Sequence, residues 1–278
     1  MKKISRRSFM AAAAVSVAAL ALTACGGSAS SAASSVASSA ASSEAVSSAA
    51  AAELTTVEAG KLTMATNATF PPYEMTTDSG EIEGIDVDTA KAIAEKLGLE
   101  LQIDDMEFDA ALLSVQQGKA DIVMAGVTVT DERKAVMDFS DSYATGIQSI
   151  IVPEGSDITS PDDLAGKKIG TQRGTTGYIY CSDDFGDDAV VAYDDGLTAV
   201  QALNNGQVDA VVIDNAPAQE FVAANPGLVI LDTSYAEEDY AIGLAKGSAL
   251  EDAVNAALEE LKADGTLQSI VDKYITAE

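Results

Sequence analysis

The sequence contains no histidine, and it has only two cysteines among its 278 residues. Histidine is the usual general base of enzymes and the commonest protein ligand of metal ions, so its absence removes both roles. Two cysteines, one of them Cys25 near the N-terminus, cannot build a disulfide framework or a cysteine-rich zinc site. The composition therefore disfavours an enzyme, and we expect no cofactor and no bound metal.

Basic residues are also scarce, because 16 lysines and arginines stand against 44 aspartates and glutamates, a formal net charge of −28. Four of the basic residues lie within the first seven positions, so the rest of the chain carries 12 basic and 44 acidic side chains. A body this acidic repels nucleic-acid phosphates and anionic lipid. We therefore expect no nucleic-acid partner.

The first 25 residues have the pattern of a secretory signal peptide: basic residues, an apolar run over 9–24, and small residues before Cys25. The run of 16 residues is short for a membrane-spanning helix, which needs about 20. Residues 22–25 resemble a bacterial lipobox, in which the cysteine is acylated; the alternative is an ordinary signal peptide with an incidental cysteine. Residues 5–10 also resemble a twin-arginine motif, so the export route stays open.

Residues 26–53 have the composition of a flexible linker, with 11 serines and 11 alanines among 28 positions. As a coil this segment would span roughly 30 Å. Together with the leader it predicts an exported protein that is lipid-anchored through Cys25 to the outer face of the bacterial cell membrane.

From residue 54 onward, short apolar runs alternate with amphipathic stretches, as in α/β sheets. The pattern first predicts strands at 61–67, 99–103 and 121–126, with helices at 86–97 and 108–117. After residue 160 it predicts strands at 168–171, 189–192 and 210–213, with helices from 175 and at 197–205. Two helices, 250–263 and 267–275, end the chain.

Two stretches, 115–123 and 203–211, match in character at almost every position, each running from a helix end through a glycine and an aspartate into a buried strand. They predict two α/β lobes of similar topology. The alternative is that helix–glycine–strand turns look alike in many proteins.

Arg133 and Arg173 are the two arginines that follow the leader. A guanidinium in a cleft binds a carboxylate through both of its oxygens. Arg133 comes soon after a predicted strand, at the end where ligands bind in open α/β sheets, and Gly126 and Thr128 precede it there. The alternative is that Thr130 caps a helix and Arg133 pairs with an acidic neighbour on its surface.

The second half offers Arg173 and Thr176 at a predicted helix start, where backbone amides favour a carboxylate. Asp214 follows the strand 210–213 and would either meet an ammonium group or cap the next helix. Phe70 and Phe108 would either form an apolar floor for a ligand or belong to the core.

Three acidic or nucleophilic features of the sequence are better explained without a catalytic or metal-binding site. Asp86 and Asp88 look like a paired carboxylate site, but their position predicts helix caps. The acidic run 183–188 does not have the spacing of a calcium loop. Cys181 has no histidine to activate it.

The blocks 84–98, 125–134, 138–141 and 263–267 resemble the bacterial extracellular solute-binding proteins, family 3, of polar amino-acid ABC transporters. The resemblance implies an α/β fold of the two-lobed, periplasmic-binding-protein-like type II, a clamshell with two crossover hinge strands near 146–152 and 239–245. Lobe 1 would comprise 54–145 and 242–278, and lobe 2 would comprise 146–241.

In that family the ligand is an amino acid held between the lobes. The resemblance implies that Arg133 binds its carboxylate and Asp214 its ammonium group. It implies further contacts from Phe70, Phe108, Gly126, Thr128 and Thr176.

The substrate preference is expected from the first-strand turn, where relatives that bind lysine, arginine or ornithine often have carboxylates. This chain has the uncharged Asn67 and Thr69 there, and a second ammonium left unpaired would cost several kcal/mol. Arg173 would favour a polar or acidic side chain. We therefore expect a neutral polar amino acid, glutamine-like or cystine-like, with Asn67 among its contacts.

The resemblance thus implies a monomeric substrate-binding lipoprotein, not an enzyme, that delivers an amino acid to the membrane permease of an ABC transporter. Two alternatives remain on the same fold. One is a surface adhesin or another non-transport binding protein, which would not need Arg133 and Asp214. The other is an enzyme similar to a cyclohexadienyl dehydratase.

Overall fold

A computed structural model describes residues 54–275. The predicted signal peptide 1–25 with Cys25, and the predicted linker 26–53, lie outside the described residues. Two β-sheets organise the described part, each flanked by helices. No helix within this part is both long and apolar enough to cross a membrane.

The first lobe is built on a five-stranded sheet with the strand order β5-β1-β6-β14-β7. Its strands are β1 (Lys61–Thr66), β5 (Glu100–Asp105), β6 (Ile122–Val123), β7 (Met137–Phe139) and β14 (Gly243–Ala245). Strand β1 is parallel to β5 and β6, whereas β14 is antiparallel to β6 and β7. A small antiparallel sheet beside it contains β2 (Thr69–Phe70), β3 (Glu74–Thr76) and β4 (Ile82–Glu83).

The helices that accompany this sheet are α1 (Ile85–Leu97), α2 (Phe108–Gln116), α3 (Asp131–Val136), α7 (Glu251–Ala263) and α8 (Thr266–Tyr274). Helix α1 buries Ile85, Ala90 and Ile93 against the core, as the 3.6-residue period predicts. Each large apolar side chain buried in this way stabilises the fold by about 1.5–3 kcal/mol. Gly98 ends the helix in the left-handed conformation, with φ of 71°.

The second lobe is built on a six-stranded sheet with the path β10-β9-β11-β8-β12, and β13 also pairs with β8. Its strands are β8 (Ala144–Pro153), β9 (Ile169–Gln172), β10 (Val190–Tyr193), β11 (Ala210–Asp214), β12 (Leu228–Ile230) and β13 (Ala236–Tyr240). Its helices are α4 (Thr176–Phe185), α5 (Gly196–Asn204) and α6 (Asn215–Ala224). Short 3-10 turns lie at Pro161–Leu164 and Asp187–Ala189.

The chain passes between the sheets twice. It leaves the first sheet at Phe139 and enters the second at Ala144, and it returns between Tyr240 and Gly243. The first crossing therefore precedes the predicted one at 146–152. Those residues lie inside β8, where β11, β12 and β13 provide their backbone partners.

The two similar stretches adopt the same turn. Gly118 and Gly206 have φ of 65° and 67° after their helices. Asp121 accepts a hydrogen bond from the Thr63 amide (2.8 Å), and Asp209 accepts the equivalent bond from the Lys168 amide (2.8 Å). Each aspartate thus ties a helix–strand turn to the start of the neighbouring strand, so the repeat has a common physical basis.

Candidate ligand-binding site

A cavity lies between the two sheets, and residues of both lobes line it. Eight of the predicted site residues line this cavity: Asn67, Phe70, Phe108, Gly126, Thr128, Arg133, Thr176 and Asp214.

Arg133 is buried, with 8% of its surface exposed. Thr130 caps α3, but the Arg133 side chain turns inward instead of pairing on the helix surface. Its Nη1 donates to the Thr128 carbonyl (2.8 Å) and its Nη2 to the Gly174 carbonyl (3.1 Å). The guanidinium also lies 5.4 Å from the centre of the Phe108 ring, a cation–π contact. Arg133 therefore contacts both lobes and faces the cavity.

Asp214, at the end of β11, caps the next helix, which is one of the two roles that the sequence left open. Its Oδ1 accepts the Ala216 amide (3.1 Å) and so caps α6. Its Oδ2 accepts the Tyr240 hydroxyl (2.6 Å) and the Ile147 amide (2.9 Å) at the cavity wall. Burial raises the pKa of Asp214 to about 6, although these donors act in the opposite direction.

Gly126 allows an aromatic ring to approach the backbone. Its φ is +55°, and a Cβ there would lie 2.9 Å from Cε1 of Phe70. Its amide donates to Oδ2 of Asp86 (3.0 Å), which also accepts the Tyr143 hydroxyl (2.8 Å). The start of α1 has no side-chain cap, so the predicted capping role was wrong for the fully buried Asp86. It was also wrong for Asp88, which pairs with Lys273 and Tyr274.

Glu238 joins the two threonines that the sequence identified. Its Oε2 accepts the hydroxyls of Thr128 and Thr176 (both 3.0 Å) and the side-chain amide of Gln148 (3.1 Å). Thr128 belongs to the first lobe, whereas Thr176 opens α4 in the second. One buried carboxylate thus connects both lobes beside Arg133. The charge of Glu238 raises the pKa of Arg133, but burial lowers that pKa by more.

Asn67 makes a further contact between the lobes. Its Oδ1 accepts the side-chain amide of Gln172 (2.8 Å), and its Nδ2 donates to the Met106 carbonyl (3.0 Å). The hydroxyl of Thr69 also donates to Oδ1 (3.0 Å), but Thr69 itself is exposed.

Arg173 does not line the cavity. Its side chain is half exposed, and Nη2 forms an ion pair with Asp194 Oδ1 at 3.2 Å. The backbone of Arg173 lies just before α4, as predicted. Its side chain points to solvent, where ion pairs contribute little to stability.

The lining or bridging residues that were not identified from the sequence include Glu74, Gln148, Gln172, Glu238 and Tyr240. Glu238 and Tyr240 had one local signal. They lie two residues apart on β13, and residues two apart on a strand share one face. Nothing local to Glu74 or Gln172 marks them, since the cavity forms only when the lobes meet.

Comparisons with known proteins agree with this architecture. Residues 62–277 match the family described as bacterial extracellular solute-binding proteins, family 3. The L-cystine-binding protein TcyJ of Escherichia coli K12 is 34% identical over 226 residues, covering 80% of this chain and 85% of that protein. A probable histidine-binding protein of Neisseria gonorrhoeae is 34% identical over 275 residues, covering 96% and 95%.

Solved structures are equally similar. An ancestral arginine-binding protein bound to arginine is 43% identical with a TM-score of 0.74, covering 78% of this chain and 98% of that chain. ArtJ of Geobacillus stearothermophilus, which binds arginine, lysine and histidine, is 35% identical with a TM-score of 0.75, covering 78% and 96%. The predicted type II, two-lobed fold is confirmed. The chain belongs to the bacterial extracellular solute-binding proteins of family 3.

Proposed function

We propose that this protein captures a polar amino acid outside the cell and delivers it to the permease of an ABC transporter. The observation that carries the proposal is the presence of buried Arg133 and buried Asp214 in one cavity. These are the two charges that an α-amino acid zwitterion requires. Relatives named as cystine-, histidine-, arginine- and glutamine-binding proteins support the same class of ligand.

Arg133 is the proposed clamp for the ligand's carboxylate. A guanidinium has five N–H donors, and two of the hydrogen bonds of Arg133 go to carbonyl oxygens. The remaining donors suit the paired oxygens of a carboxylate. Asp214 would accept the ammonium group, and Phe70 and Phe108 would contact the side chain.

Ligand binding would be coupled to closure of the lobes. Arg133 bonds to Gly174 across the cavity, and Asn67 bonds to Gln172 in the same way. A ligand that contacts Arg133 and Asp214 at once would favour the closed form, shifting an equilibrium between open and closed states. Energy for transport would come from partner subunits.

The proposal includes a lipid anchor at Cys25 and lobes formed by 54–145 with 242–278 and by 146–241. Membership of the strands in two sheets supports this division. It also includes a purely binding role without catalysis, supported by relatives that are solute-binding proteins. The uncharged Asn67 supports a neutral polar cargo, whereas Glu74 in the same cavity weighs against it.

Thermal unfolding of the purified protein with each common amino acid, cystine and ornithine tests the proposal. A ligand at 100 times its dissociation constant should add about 2.7 kcal/mol of stability. Arg133→Met should abolish the response to amino acids, whereas Arg173→Met removes an equal charge outside the cavity and should retain it. A protein that no amino acid stabilises would refute the proposal and favour an adhesin or another solute.

A further inference from the structure

Glu238 is a buried carboxylate that lies behind the wall of the cavity. It belongs to β13, and it is absent from the described residues that line the cavity. Its Oε2 accepts the hydroxyls of Thr128 and Thr176 (both 3.0 Å) and the side-chain amide of Gln148 (3.1 Å). The Tyr180 hydroxyl also forms a hydrogen bond with this carboxylate. These donors hold Glu238 in place, so its influence on a ligand passes through the groups that it contacts.

The hydroxyls of Thr128 and Thr176 each have one proton, and that proton is directed to Glu238. A hydroxyl offers one O–H donor and two acceptor lone pairs, whereas an ionised carboxylate can only accept. The two Oγ1 atoms are 3.5 Å apart, and both residues line the cavity. Neither hydroxyl keeps a proton for a ligand, but both keep lone pairs. The two threonines therefore present acceptors to the cavity, and not donors.

A ligand's ammonium group has three N–H donors, and Asp214 has too few free acceptor positions for all of them. Its Oδ2 already accepts the Tyr240 hydroxyl and the Ile147 amide, and its Oδ1 accepts the Ala216 amide. A carboxylate has about four lone-pair sites, so about one remains on Asp214. The ammonium group therefore needs about two further acceptors, which is the number that the two threonine hydroxyls provide.

The position of Glu238 agrees with this arrangement. Its negative charge acts on both Arg133 and Asp214, so it lies near both ends of the proposed site for a ligand's backbone groups. Thr128 belongs to the first lobe and Thr176 opens α4 in the second. An ammonium group that both hydroxyls accept would therefore connect the two lobes.

We propose that Glu238 is a positioning residue that directs the hydroxyl protons of Thr128 and Thr176 away from the cavity, so that both hydroxyls accept the ligand's ammonium group. This inference rests on the proposed function, because it assumes that Arg133 and Asp214 hold the backbone groups of an amino acid. It predicts selection against carboxylic acids of the same shape that lack the α-amino group. Such a ligand would leave the lone pairs of the hydroxyls buried and unpaired, which is costly.

Calorimetric titration tests the selection in the wild-type protein. The first probe is the amino acid that stabilises the protein most in thermal unfolding, and the second is the same acid with hydrogen in place of its α-amino group. The second probe is guanidinovalerate for arginine, glutaramate for glutamine, imidazolepropionate for histidine and dithiodipropionate for cystine. The amino acid should bind at least about 100-fold more tightly, because the deamino acid loses several hydrogen bonds of a charged group. Equal affinity for both probes would overturn the inference.

Three variants separate the acceptor role of Glu238 from its charge. Glu238→Met removes both and frees the threonine protons, so it should reduce the preference for the amino acid by about 10-fold. Glu238→Gln removes the charge but keeps an acceptor oxygen, and it should hold the preference within about threefold of wild type. Glu237→Met is the matched control, because it changes an exposed neighbour on β13 and should leave the preference unchanged. An unchanged preference in Glu238→Met, or equal losses in Glu238→Met and Glu238→Gln, would overturn the positioning role.

Threonine variants decide the same point if Glu238→Met does not fold. Thr128→Val and Thr176→Val keep the shape of the side chain and remove one hydroxyl each. Each should weaken binding of the amino acid by about 10-fold and change binding of the deamino acid little, because an acceptor of the ammonium group is lost. Equal weakening of both probes would mean that the hydroxyls donate to the ligand's carboxylate, which contradicts the inference.

The inference and the proposed function fail in different ways. An amino acid whose binding Arg133→Met abolishes, but which binds no better than its deamino acid, would leave the proposed function intact and remove the role of Glu238. A protein that no amino acid stabilises would instead remove the proposed function.

Discussion

The buried carboxyl groups around the cavity should make the ligand-free protein more stable at pH 5 than at pH 7.5. Burial raises the pKa values of Asp86 and Asp214 to about 6 in the folded protein, from 3.8. A group whose pKa is raised by folding binds more protons in the folded state between the two values. Its stabilising contribution is therefore present at low pH and is lost as the pH rises through about 6.

The size of the effect follows from these two pKa values. Between pH 7.5 and pH 5 each group should add on the order of 1 kcal/mol to the free energy of unfolding, or about 2–3 kcal/mol for both. For a body of this size that corresponds to a rise in Tm of roughly 5–10 °C. Burial also raises the pKa of Glu74, so this group likewise makes the protein more stable at the lower pH. The partly exposed Asp138 and Asp163 have lowered pKa values, so they titrate below this window and do not cancel the rise.

Calorimetric melting of the ligand-free protein from pH 7.5 to pH 5 measures this rise. Reduced repulsion among the many surface carboxylates has the same sign, and a salt concentration of about 0.3 M screens much of it. Asp214→Asn should then remove close to half of the pH-dependent gain, because one of the two titrating groups is gone. A Tm that stays level or falls toward pH 5 would refute the reasoning, as would an Asp214→Asn variant with the full gain.

Three further substitutions have outcomes fixed by the geometry. Gly146→Ala should destabilise the fold by about 1–3 kcal/mol, because its Cβ would lie 2.5 Å from Cζ of Tyr240; a Tm within a degree of wild type would contradict this. Asp209→Ala removes the acceptor of the Lys168 amide at an exposed turn and should cost about 0.5–1.5 kcal/mol in urea unfolding; an unchanged stability would contradict the role of this bond. Arg173→Ala should leave amino-acid affinity within about twofold, because its ion pair is exposed; a large loss in a titration would place Arg173 at the ligand.

The regular elements were largely predictable because their signals are local. The period of α1 and the glycine at 98 fixed that helix within one residue at each end. The parallel strands β1, β9 and β11 followed from short apolar runs between helices. Strand β8 was predicted only as a crossover strand near 146–152, whereas its ten residues belong to the second sheet and pair with three strands that lie far along the chain. The place of β8 in the second lobe therefore depends on tertiary pairing and not on the composition of the strand.

The candidate site was predictable where chemistry and position coincided. Arg133 and Asp214 are charged residues that follow buried strands, so the strand-end rule identified them. Glu238 and Glu74 lie on strands without such a marker, and their importance arises from groups on other elements. Arg173 shows the opposite error, because its backbone lies at the expected helix start while its side chain faces Asp194.

The closed arrangement is held by few direct contacts, and this makes the ligand decisive. The bonds from Arg133 to Gly174, from Gln172 to Asn67 and from Thr128 to Glu238 each contribute about 0.5–1.5 kcal/mol. Shifting a closed fraction from 1% to 99% requires about 5.5 kcal/mol of differential binding. The lobe contacts are already part of the ligand-free equilibrium, so the ligand itself must provide that difference. Charge matching in the cavity would then govern both which amino acid binds and whether the lobes close.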